Sequence, residues 1–148
     1  MTKSQKVLVF AISLLILSVA LFTFLRRDHA SLQTFSATAH RDCAPWDGAA
    51  FTVRVPLNDG TMIDISIWQS PEIVFPKKFS FPDDTGQVGN AILIYPVGLP
   101  DVLSGEVAFQ RVEAGLPIEG RFNLTSERGA RFEGQFHAEW SEQVVMCG

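Results

Sequence analysis

Residues 7–25 read VLVFAISLLILSVALFTFL, nineteen positions without a charge and with only Ser13, Ser18 and Thr23 as polar interruptions. Wound into a helix at about 1.5 Å per residue, such a run spans roughly 28 Å, close to the hydrocarbon thickness of a bilayer. A helix in a protein core shows polar positions at helical spacing, whereas this run is apolar on every side. It is therefore expected to be a transmembrane signal-anchor helix, with the membrane as the partner of residues 7–25. A cleaved signal peptide would have a shorter apolar region, of about 7–15 residues, and a small-x-small site just behind it. Here Arg26 and Arg27 follow directly, and Ala37-Thr38-Ala39 comes well beyond the position for cleavage. Secretion after signal cleavage is the alternative. Lys3, Lys6 and the amino terminus precede the run, and Arg26, Arg27 and Asp28 follow it. That balance of about +3 against +1 points the N terminus to the cytoplasm and the remainder outside.

The chain thus divides into a cytoplasmic tail (1–6), a single-pass helix (7–25), a polar tether (26–42) and one extracytoplasmic domain (43–148). Its 148 residues leave room for no second domain of ordinary size. The tether is rich in Ser, Thr, Ala and His and is read as lacking apolar periodicity. From His40 onward there are eight Lys and Arg against fifteen Asp and Glu, a net of −7. Such an acidic surface argues against nucleic acid and against anionic lipid head groups as partners. The only cysteines, Cys43 and Cys147, flank the domain. An even pair in an exported domain is expected to form a disulfide.

Within the domain the apolar period is two, the signature of strands. Phe51, Val53, Val55 and Leu57 alternate with polar or small residues, as do Ile63, Ile65 and Ile67, and Asn58-Asp59-Gly60 lies between the two runs. A three-residue loop with Gly in the left-handed position pairs Val55 with Ile63, Val53 with Ile65 and Phe51 with Ile67. The same register sets Arg54 opposite Asp64 and Thr52 opposite Ser66, both favourable cross-strand pairs. A weak repeat follows: Leu103–Phe109, Ile118–Leu124 and Phe132–Ala138 each carry a Gly followed two residues later by Val or Phe. If Glu127-Arg128-Gly129 form a loop, Gly120 faces Phe136 and Phe122 faces Gly134, each ring covering a glycine across the strand. Residues 91–97, AILIYPV, read as a strand buried on both faces, and the prolines around residues 72–81 confine any strand there to an edge. About seven short strands separated by turns are expected to form a small antiparallel β-sandwich, with a small β-barrel as the alternative.

No residue set reaches the standard of a catalytic, cofactor or metal motif. His137 is expected on a solvated face opposite Glu119, in a row without a nucleophile. Asp42, Asp47, Asp59, Asp83 and Asp84 lack the alternation of a calcium loop and read as turn formers. The strongest binding candidate is Phe75, Lys77, Lys78, Phe79 and Phe81, aromatics and cations on an edge strand. The blander reading has Phe79 and Phe81 capping the core while the lysines discourage edge pairing. The expectation is a non-enzymatic, membrane-anchored module that binds a protein or serves envelope assembly. The alternative is a small-ligand or glycan-binding module built on Trp46, Trp68 and Trp140.

Overall fold

The computed structural model describes residues 32–148 apart from 72–76, 84, 85, 87, 114, 143, 144 and 148. The tail, the apolar run and Phe75 lie outside the described residues. Among those described, no helix is long and apolar enough to cross a membrane.

Eight strands follow in order: β1 (Thr34–Cys43), β2 (Ala49–Pro56), β3 (Met62–Ile67), β4 (Lys77–Phe81), β5 (Gly89–Ile94), β6 (Asp101–Arg111), β7 (Ile118–Ser126) and β8 (Arg131–Trp140). They hydrogen-bond in the order β6-β5-β3-β2-β1-β8-β7, and β7 pairs back onto β6. The sheet therefore closes into a seven-strand barrel, the second of the two expected architectures, and not into a sandwich. β4 is the additional strand. It lies along β6 from Gly105 to Phe109, on the flank where β5 pairs at Asp101 and Val102.

Closure depends on β1, which occupies residues assigned from sequence to the polar tether. That assignment is corrected here: the ordered domain begins no later than Thr34. β1 runs antiparallel to β2 and parallel to β8, with Phe35 beside Phe136 and Ala37 beside Ala138. Its period of two is carried by Phe35, Ala37 and Ala39, and the two alanines are buried. Alanine is a weak strand former and a weak apolar signal. A barrel interior crowded with rings nevertheless needs small side chains somewhere on its wall.

The first hairpin has the expected register, with Val55 opposite Ile63, Val53 opposite Ile65 and Phe51 opposite Ile67. These six are fully buried. On the outer face Arg54 grips Asp64 through two bonds, Nε to Oδ1 at 2.8 Å and Nη2 to Oδ2 at 2.6 Å. This contact raises the guanidinium pKa above its ordinary value. The Thr52 hydroxyl donates to Asp42 and lies 2.8 Å from that of Ser66. Gly60 takes a φ of 81°, and the Asp59 carboxylate accepts from the Thr61 hydroxyl and N–H. Those two bonds hold the carboxyl below its usual range.

The β7–β8 register is also as expected, pairing Gly120 with Phe136 and Phe122 with Gly134. Phe136 covers Gly120. Gly134 is covered differently: a Cβ there would lie 2.5 Å from the Phe35 ring and 2.9 Å from the Gln33 carbonyl oxygen. The cover comes from β1, with the Phe122 ring tilted against Phe35 at a centroid distance of 5.7 Å. β5 departs from expectation too. Ala91 and Leu93 are buried, but Ile92 and Ile94 point outward and are only half-buried, so one face of the run meets the core. Inside the barrel Phe109 lies 5.6 Å from Phe51, 5.7 Å from Phe79 and 5.7 Å from Phe136. The interior is filled with side chains, as in other barrels of few strands.

Cys43, at the end of β1, is bonded to Cys147 beyond β8, with a Cα–Cα distance of 5.6 Å and a sequence separation of 104. Mass analysis of the unreduced chain should show it lighter than the reduced one by the two thiol hydrogens. Replacing both cysteines by Ala should lower stability by about 4–5 kcal/mol, the chain-entropy value for so long a loop. Two thiols that alkylate in the native chain would refute the bridge. Gly134→Ala should cost about 1–3 kcal/mol, since the new methyl displaces either the Phe35 ring or the β1 backbone. An unchanged denaturation midpoint would mean that β1 does not sit on β8 in solution.

Candidate functional site

β4 carries the described part of the candidate binding segment and sorts its residues onto two faces. Phe79 and Phe81 point inward and are 3% and 4% exposed. Buried in the barrel, these rings are not open to a partner; they cap the core, as the blander of the two readings has it, and of the binding reading the exposed aromatics are lost. Lys77 and Lys78 lie outside the core. The Lys77 ammonium donates to the Gln69 side-chain oxygen at 2.7 Å and lies 5.4 Å from the centre of the Phe79 ring. Lys78 pairs with Glu106 of β6, both about half exposed. Exposed pairs of this kind contribute little to stability. Among the described residues β4 makes its ladder with β6 alone.

A shallow depression of about 200 Å³ lies beside β4 on the outer wall. Lys78, Glu106, Arg121 and Glu133 line it, contributed by four neighbouring strands. It is hollow because Ala108 stands between Lys78 and Arg121 in the cross-strand row. The charges alternate in sign along this wall. A partner seated there would meet paired, solvated ions rather than an apolar cleft.

His137 is opposite Glu119, as expected, with Nδ1 3.6 Å from its carboxylate. Two neighbours were not foreseen. Nε2 lies 3.2 Å from Glu139, two residues along the same strand. β1 also sets Ser36 directly across from His137, so serine, histidine and glutamate share one row over three strands. The residue types match a nucleophile, a base and an orienting acid, but the geometry does not. Both imidazole nitrogens face carboxylates, which leaves neither to take a proton from Ser36. His137, Glu119 and Glu139 have side chains 45%, 42% and 68% exposed, an environment in which such contacts are weak.

The aspartates serve local structure. Asp42, Asp59 and Asp83 each accept a backbone N–H, from Cys43, Thr61 and Val88. Among the described residues no group of three His, Cys, Asp or Glu is placed to hold a metal. The tryptophans do not form a row. Trp46 and Trp68 meet edge to face at 5.6 Å, with Trp46 52% exposed. Trp140 is half-buried against Phe51 and donates its indole N–H to the Glu113 carbonyl. Compared with family models, with curated proteins and with solved structures, the chain finds no match.

Proposed function

We propose that this chain is a single-pass, membrane-tethered protein whose extracytoplasmic β-barrel binds another protein, as an interaction or envelope-assembly module without catalytic activity of its own. The observation that carries the reading is β4. Among the described residues it is a short strand laddered on one flank, with two lysines outside the core and a charged hollow beside it. A partner strand could add along its other flank, where main-chain bonds supply affinity and the lysines select for acid. The tether rests on the apolar run at residues 7–25 and on the disulfide, a bond that persists in oxidising compartments. A filled interior supports a surface-acting module over a carrier of small molecules. The glycan-binding alternative rests on the Trp46–Trp68 pair alone.

The test is photo-crosslinking in intact membranes, with a reactive residue in place of Ser80, an exposed position of β4, or, as control, in place of Glu139 of β8. One discrete protein adduct is expected from position 80 and none from position 139. Lys77→Glu with Lys78→Glu should abolish the adduct, and His137→Ala should leave it unchanged. The charge reversals should shift stability by no more than about 1 kcal/mol, as befits exposed ions. Loss of the adduct in the histidine variant alone would reverse the reading and favour chemistry at His137.

A further inference from the structure

The strand directions divide the barrel into two ends. β1 begins at the proximal end, and the antiparallel order carries the chain back there three times. The proximal connections are the loop 58–60, the segment 95–100 and the loop 127–129. The middle one is unlike its neighbours. Tyr95-Pro96-Val97-Gly98-Leu99-Pro100 contains no charge, and Val97 and Leu99 are 90% and 85% exposed. Val102 at the start of β6 is 54% exposed and stands opposite Ile92, so the apolar surface continues onto the barrel wall. Two large aliphatic side chains almost wholly in water, side by side on one loop, mark a surface that is covered in use.

The base of this loop is held by polar contacts. The Tyr95 hydroxyl donates to Asp101 at 2.8 Å, joining the two residues that flank the tip. The Arg128 guanidinium, from the third proximal loop, lies 3.4 Å from the same carboxylate and 5.9 Å from the centre of the Tyr95 ring. The result is an apolar tip on a collar of Tyr, Asp and Arg. Tyrosine and arginine are residues that settle at the boundary between hydrocarbon and head groups.

What covers the tip follows from where the chain comes from. Resting on the tether reading above, the apolar run ends at Leu25 and β1 starts at Thr34, on the proximal side. The residues between them can span at most about 30 Å fully extended. We propose that Val97 and Leu99 insert into the surface of the same bilayer that holds residues 7–25, so that the barrel docks on the membrane by its proximal end. The contact is apolar and suits a zwitterionic surface, since at this end Asp59, Asp101 and Glu127 outnumber Arg128 and Arg131, and Arg128 is already paired with Asp101. The distal end also exposes apolar side chains, Trp46, Leu116 and Met146, but on three separate segments and away from the start of β1.

The experiment uses the full chain reconstituted in phosphatidylcholine vesicles, with an environment-sensitive fluorophore on Leu99→Cys or, as distal control, on Leu116→Cys. The native cysteines are bonded to each other, so the introduced thiol is the one that labels. Nitroxide carried on the lipid chains near the head groups should extinguish much of the emission at position 99 and none at 116. Adding Val97→Asp to the Leu99 probe should restore it. Emission at 99 that is indifferent to the nitroxide, while the chain resists alkaline carbonate extraction, would overturn the docking and leave the tether standing. A chain that leaves the vesicles in carbonate would overturn both. A label at 99 shielded from aqueous iodide yet untouched by the nitroxide would show a protein covering the tip, and would also overturn the inference.

Discussion

The parallel ladder between β1 and β8 is the contact on which the closed barrel depends. Without it β1 and β8 would each end in a free edge, and the sheet would lie open from β1 through β2, β3, β5, β6 and β7 to β8. Open edges present unpaired N–H and C=O groups, a liability that closure removes. The ladder also brings Phe35 over Gly134 and sets Ala37 and Ala39 against the packed rings. Once the wall is shut the interior has little volume, and Phe51, Phe109, Phe122 and Phe136 occupy it. Burial of those rings stabilises the closed form in turn, each being worth about 3–5 kcal/mol on truncation to Ala.

A filled interior moves any function to the outer wall and the two ends, and these surfaces differ in chemistry. The wall around β1, β2 and β3 is knitted by Asp42, Thr52, Ser66, Arg54 and Asp64, whose hydrogen bonds are directed at one another. Thr52 and Asp64 are buried there although they face away from the core. The wall around β4 carries alternating charge with open approach, and the proximal tip carries none. Function by contact suits such a surface better than function by enclosure. The row containing Ser36, His137 and Glu119 illustrates the difference, since it has the residue types of a hydrolytic site but neither the free nitrogen nor the shelter from water.

Legibility in the sequence followed the range of the interactions involved. The β2–β3 register could be read because alternation, turn chemistry and the Arg54–Asp64 pair all require it, each within a few residues. The β7–β8 register was readable for the same reason, through Gly129 and the glycine–phenylalanine exchange. β1 was not. Its pairing with β8 joins residues about a hundred positions apart, and its inner positions past Phe35 are alanines, whose burial makes sense only beside rings from other strands. Missing β1 lost the closure and hid Ser36 beside His137. It also misassigned the cover of Gly134. The cysteine pair was legible because the chain has two cysteines and they flank the domain. The edge character of the proline-flanked segment was legible too, but alternation alone did not settle which face of β4 would be wet. Phe79 and Phe81 proved to be core.

The placement of β1 has a mechanical consequence. β1 is laddered on both sides, and a load applied to the residues before Thr34 acts along its axis. Pulled in that direction, the ladder bonds share the force in shear; they are not peeled away one after another from an end. The far end of the strand is clamped covalently, because Cys43 is tied to Cys147 behind β8. A strand that yielded would draw the C-terminal tail with it before the wall could unzip. The barrel is thus built to hold when hung from its first strand.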